Sequence, residues 1–183
     1  EDADSEITNK IVINSKVQRP GVCNALETLI INREYLKKNG FSVIDDLIEN
    51  NVELFVDESI KEKYPKYEIA TREHYLTEFH DYKIAIKVVE GLDEAINHIS
   101  MYSSGHTESI LTQNSQIAEK FSNSIDSSVV FVNASTRFTD GEVFGLGAEI
   151  GISTQKLHVR GPMGLEALTS ERYIVKGSGQ IRE

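Results

Sequence analysis

The sequence predicts an α/β fold built on a mainly parallel, doubly wound sheet. Short apolar, β-branched runs alternate along the chain with amphipathic stretches of helical length. The run Val129 to Val132 has no polar alternation, as expected of a strand covered on both faces. The spacers between strands are long enough for crossover connections, and in sheets of this kind ligands gather at the carboxyl ends of the strands.

Taken in order, Asp4 to Lys16 reads as the first helix, with Asp4 as N-cap, Glu6 in the first turn and Ile7 and Ile11 four apart. A Pro-Gly turn around Cys23 follows, then a strand over Glu27 to Ile31 and a helix from Arg33 to Lys38 that Gly40 ends. Phe41 to Asn50 is helical, with Val43, Ile44, Leu47 and Ile48 on one stripe, and Val52 to Val56 is a strand. Asp57 to Asp81 reads as mostly surface, a charged helix over Glu58 to Tyr64 and then polar connecting material. Strand Lys83 to Val89, helix Leu92 to Met101, strand Glu108 to Leu111, helix Ser115 to Ile125 and strand Val129 to Val132 complete the alternation. From Asn133 to Gly164 the chain carries six glycines with many apolar residues, which predicts a long ordered loop packed over the sheet. Tyr173 to Val175 predicts a short terminal strand of the kind that pairs with another subunit.

At 183 residues the chain is large enough for one domain with a proper core. Its formal charge of -10 repels phosphate backbones, and no basic tract offsets it, so nucleic acid is not an expected partner. No apolar run approaches the length of a membrane span and no signal-peptide pattern is present, so a soluble protein is expected. One cysteine excludes an internal disulfide, and a reducing, cytoplasmic setting is the simplest fit. The chain begins at Glu1, directly on a helix-initiating pattern, which suggests an upstream part not represented here.

Cys23 is the leading chemical candidate. The turn Val17-Gln18-Arg19-Pro20-Gly21-Val22-Cys23-Asn24 can hold a thiol over a cleft, with Arg19 and backbone N–H groups lowering its pKa; the competing reading is a small buried hydrophobe. Arg137, directly after the last buried strand, can clamp a carboxylate or phosphate, or else sit at the surface or pair with Asp140. Arg160 has weaker positional support. His106, in a Ser-Ser-Gly turn, reads as a proton donor or, more simply, as a surface histidine. The five histidines have no metal-site spacing, so no metal is expected. Gly145-Leu146-Gly147 lacks the strand-turn-helix context of a dinucleotide fingerprint.

The blocks QRPGVCNALETL, VNASTRFTDG, FGLGAEIGISTQKLHVRGPMGLEAL and YIVKGSGQIR resemble the C-terminal part of the gamma-glutamyl phosphate reductases, the glutamate-5-semialdehyde dehydrogenases of proline biosynthesis. The resemblance covers nearly the whole chain. It implies an aldehyde dehydrogenase-like catalytic domain over residues 1–168, a C-terminal oligomerisation segment over 169–183 and a homo-oligomer, with the cofactor-binding domain mostly outside this chain. It implies NADPH-dependent reduction of L-glutamyl 5-phosphate to glutamate 5-semialdehyde, with Cys23 as the nucleophile that forms a thioester. A glutamate kinase supplying the substrate, separate or fused, follows from the same family. The resemblance also implies that Asn24, Ser135, Thr136 and Arg137 bind substrate, that the Cys23 backbone N–H stabilises the oxyanion, and that Glu78 holds the nicotinamide ribose. Thr139-Asp140-Gly141-Glu142 departs from the expected Thr-Asp-Gly-Gly and adds a charge to the substrate loop. The fragment alone is expected to be inactive. The alternative is a scaffold or oligomerisation module that keeps the fold without turnover.

Overall fold

The structure, a computed structural model, describes residues Glu1–Glu183. Helix α1 (Ser5–Val17) starts where the sequence predicts, the Asp4 carboxylate accepting from the Ile7 N–H at 2.9 Å. It leads through the cysteine turn to β1 (Thr28–Asn32), followed by α2 (Arg33–Asn39) and α3 (Ser42–Glu49). Asn32 caps α2 through its side chain, and Gly40 ends it at φ +72°, a left-handed conformation that glycine adopts without a Cβ penalty. Strands β2 (Glu53–Val56) and β3 (Glu68–Ile69), helix α4 (Arg72–Leu76) and strand β4 (Lys83–Val89) follow. Helix α5 (Leu92–Tyr102), β5 (Thr107–Ile110), α6 (Ser115–Ser124) and β6 (Val129–Val132) continue the alternation.

Four strands form one sheet in the order β1-β4-β2-β3, every neighbour pair parallel. Ile84, Ile86 and Val88 of β4 join Val43, Ile44 and Leu47 of α3 in the main core, while Ala85 and Val89 on the alternate face are also buried. The central strand is thus covered on both sides, as a parallel strand should be. Strands β5 and β6 form a separate parallel pair. The outer strands β1 and β5 are not bonded to each other; a cavity of about 270 Å³ lies between them, lined by Leu29, Ile31, Ile110 and the chain start at Glu1 to Ala3.

Several expectations are corrected. Glu58 to Tyr64 is a 3₁₀ turn (Glu58–Ile60) and further turns, because Asp57 accepts from the Ser59 N–H and hydroxyl and from the Val88 N–H, fixing the chain after β2 against β4. Ile60 and Tyr64 are buried in the core, not at the surface, and β3 and α4 are regular elements in what reads as connecting material. Strand β6 is only half covered, with Val132 exposed. The glycine-rich segment contains an antiparallel pair, β7 (Gly151–Ser153) with β8 (Gly161–Met163). Most of its apolar side chains, including Val143, Ile150 and Leu157, face solvent instead of packing over the sheet, although Phe144 reaches Phe131. Residues 173–175 form no strand within this chain: Tyr173, Ile174 and Val175 are exposed, and no second strand lies beside them.

The core yields a direct test. Leu47 is fully buried against the sheet, so Leu47→Ala is expected to lower unfolding free energy by about 2–5 kcal/mol, measured by urea denaturation.

Candidate functional site

The site is built on the loop between α1 and β1. The Leu26 N–H donates to the Ser15 carbonyl at 2.9 Å, so the chain returns to the helix end after the turn. At the same level Lys16 Nζ meets Glu27 Oε2 at 3.0 Å, with the lysine side chain fully buried. Burial pushes the Lys16 pKa down and the Glu27 pKa up, each opposed by the charge of the other, and the backbone N–H groups of Phe79 and His80 also favour the charged form of Glu27. The ion pair closes the base of the cysteine loop and faces the segment that carries Glu78.

Asn24 ties this loop to the one after β6. Its Nδ2 donates to the Thr139 carbonyl at 2.8 Å, and its own carbonyl accepts from Thr136 Oγ1 at 2.6 Å. Ser135 Oγ lies 2.9 Å from Ser15 Oγ and accepts from the Arg137 N–H at 3.2 Å. Asn24, Ser135 and Thr136 are all buried. Their bonds are spent on holding the two loops together, which is a positioning role beside the substrate contacts that the sequence suggests. Asn133, at φ +55°, anchors the second loop by exchanging side-chain bonds with the Thr112 N–H and carbonyl. Arg137 is half-buried; its Nε donates to Gln18 Oε1 at 2.7 Å and its terminal nitrogens have no protein partner. Arg160 instead grips Asp126 through both terminal nitrogens, on the outside of the fold.

A polar cavity of about 120 Å³ opens beside the sulfur, lined by Cys23, Asn24, Glu78, His98, His106 and Glu108 among others. Glu78 Oε2 is 3.4 Å from His80 Nε2, and its side chain is about half exposed. His98 and His106 are buried, and the Nε2 of each has no hydrogen-bond partner. His98 packs between Tyr75 and Tyr102, and burial lowers its pKa to about 4. Glu108 accepts from the Ser103 and Ser127 hydroxyls, while burial raises its pKa. The surface reading of His106 is therefore wrong: the residue is buried just ahead of β5, after Gly105 at φ +73°.

The electrostatics at Cys23 also differ from expectation. The residue is exposed, yet the protein around the sulfur displaces enough water to raise the thiol pKa, and Glu149 and then Glu78 raise it further. The cysteine's own N–H and Arg137 pull the other way and are outweighed. Arg19 does not act as the activating cation that its place in the turn suggests. Glu149 could not be found from the sequence: it reaches the site because the 140–150 segment folds back, its carboxylate accepting from the Gly141 N–H at 2.8 Å. A Cβ on Gly141 would lie 2.7 Å from the Glu149 Cβ, so only glycine permits this approach.

No family model matches the chain. Against curated proteins it is 51% identical over 183 residues to gamma-glutamyl phosphate reductase of Thermoanaerobacter sp. (strain X514), and 49% identical to that of Bacillus subtilis (strain 168). A solved relative carries the same name as these two. All of this chain is covered in each case, but it spans 44% of the length of these reductases. The crystal structure of the Thermotoga maritima gamma-glutamyl phosphate reductase superposes on the whole chain with a TM-score of 0.94 at 48% identity, again over 44% of that reductase. An aldehyde dehydrogenase from Bacillus cereus, solved as an NAD+ complex, aligns over 74% of this chain and 36% of its own at 17% identity and a TM-score of 0.57. The fold that reductase and dehydrogenase share is the one described above, mixed α/β with a parallel sheet.

Two outcomes are expected. Glu27→Gln removes one partner of a buried pair and should cost roughly 3–5 kcal/mol in denaturant unfolding, with Lys16→Met/Glu27→Leu recovering much of it. Alkylation of Cys23 by iodoacetamide should titrate above the ordinary thiol value, and Glu149→Gln, by removing a negative charge that opposes the thiolate, should shift the profile to lower pH.

Proposed function

We propose that this chain is the cysteine-bearing catalytic part, residues 1–168, of a gamma-glutamyl phosphate reductase, with residues 169–183 as an oligomerisation segment. The complete protein would reduce L-glutamyl 5-phosphate to glutamate 5-semialdehyde with NADPH and release phosphate. The observation that carries this reading is the cavity shared by Cys23 and Glu78, in a chain half identical to reductases of that name.

Cys23 is the nucleophile. Its sulfur attacks the acyl carbon, the bond to the phosphate oxygen breaks, and a thioester remains on the enzyme. The backbone N–H of Cys23 is one donor to the oxyanion that forms, and the hydrogen bonds of Asn24 to Thr139 and Thr136 keep that backbone in place. Arg137, with its terminal nitrogens free, binds a carboxylate or phosphate oxygen of the substrate. The Glu78 carboxylate, on the cavity wall and 3.4 Å from the His80 Nε2, suits the ribose hydroxyls of a nicotinamide nucleotide. That nucleotide, when bound, supplies the hydride that reduces the acyl group. Collapse of the reduced adduct frees the aldehyde and returns the thiolate. No water needs activating, because the acyl group passes to hydride. The substrate comes from a kinase that phosphorylates the glutamate side chain, and the exposed Tyr173, Ile174 and Val175 suit pairing with a second copy.

Reductase assays on the complete protein test this. Cys23→Ser should reduce turnover to background. Arg137→Ala should raise KM for glutamyl phosphate about ten- to a hundredfold, as loss of a charge-assisted contact does, with a smaller change in kcat. The 183-residue chain alone should show no turnover, while its Cys23 still reacts with iodoacetamide.

A further inference from the structure

The electrostatics of Cys23 leave the proposed reaction short of one part: a group to take the proton from a thiol that the protein does not hold as thiolate. The same cavity contains such a group. His106 is only 8% exposed, at the head of β5, and its Nε2 is buried without a partner. Its other nitrogen is accounted for, since Nδ1 lies 2.7 Å from Thr107 Oγ1, which lies 2.9 Å from Thr139 Oγ1. One of the two directions along this chain has Nδ1–H donating to Thr107 and the Thr107 hydroxyl donating to Thr139. That tautomer leaves a bare lone pair on Nε2. Thr139 is also the residue whose carbonyl holds Asn24, next to the cysteine, so the relay and the nucleophile share one anchor.

Two further observations join His106 to the sulfur. Both residues line the 120 Å³ cavity, which is polar enough to hold water or a substrate oxygen. The same two carboxylates, Glu78 and Glu149, act on the imidazole and on the thiol, so both lie in one electrostatic neighbourhood. The other titratable groups on the cavity wall are Glu27, Tyr75, His98, Tyr102 and Glu108. Burial lowers the pKa of His106, which keeps the imidazole neutral and able to accept a proton at neutral pH.

We propose that His106 is the general base of acylation, its Nε2 accepting the Cys23 proton as the sulfur attacks the acyl phosphate. This rests on the reading of the chain as part of a gamma-glutamyl phosphate reductase. The S–H bond breaks, its electron pair forms the S–C bond, and the C–O bond to phosphate breaks with its pair going to oxygen. The proton on Nε2 then passes to that departing oxygen, so phosphate leaves as hydrogen phosphate and the imidazole is neutral again. After hydride transfer the Cys23 thiolate takes a proton from solvent, which accounts for the one proton the reduction consumes.

The test is the burst of phosphate released from glutamyl phosphate by the complete protein in the absence of NADPH, followed from pH 6 to 10. Cys23→Ser should give no burst; a normal burst from that variant overturns the underlying reading, whatever His106 does. With the burst dependent on Cys23, His106→Gln should slow it about a hundredfold at pH 7, and the deficit should narrow as the thiol ionises at higher pH. His106→Ala should regain part of the rate with added imidazole. A His106→Gln burst within twofold of the parent, or a deficit that is equal at every pH and unmoved by imidazole, overturns the proposal. If neither variant folds, Thr107→Val, which removes the Nδ1 partner, carries the test: a slowed burst with the same narrowing supports the relay, and an unchanged one overturns it.

Discussion

The buried pair between Lys16 and Glu27 is the constraint on which the cysteine loop depends. A lysine with no exposed side-chain surface is tolerated only with a partner, and the partner lies eleven residues on, across the whole turn. The two ends of the loop must therefore meet. Everything between them, from Gln18 to Leu26, is held as a closed excursion from the end of α1 to the start of β1. The excursion is then pinned from above by Asn24, whose bonds to Thr136 and Thr139 draw in the loop that follows β6. The sulfur is thus located by a lock at its base and a second lock beside it, and no contact of its own is needed.

This arrangement separates position from activation. The turn presents the thiol to solvent and to the cavity, but loss of water around the sulfur, and after it the carboxylates of Glu149 and Glu78, raise the thiol pKa. A protonated thiol is a poor nucleophile and a poor target for oxidation. Two histidine nitrogens on the cavity wall, Nε2 of His98 and of His106, are buried without a partner and are a local cost to stability.

Regular structure was legible in the sequence wherever the apolar period was sustained. Strand β4, helix α3 and the parallel order follow from alternation, capping and Gly40, all local signals. The stretch from Glu58 to Asp81 was not legible, because side chains such as Asp57 reach across to β4 and override the local preference for helix. In the site, Cys23 stood out by its turn and Arg137 by its place after a strand. His106 was singled out, but its burial was not foreseen, and Glu149 was not found at all, since it owes its reach to a loop that folds back on itself. Asn24, Ser135 and Thr136 were found as residues near the chemistry, while the bonds that occupy them are tertiary and have no sequence period to betray them.

The fold-back at Gly141 bears on more than loop shape. Glu149 keeps its place because there is room for its chain where a Cβ would stand. The reactivity of a sulfur more than a hundred residues earlier in the chain is thus tuned by an empty space. A side chain introduced there would press on Glu149 and the Ala148 carbonyl, and moving that carboxylate away would lower the thiol pKa.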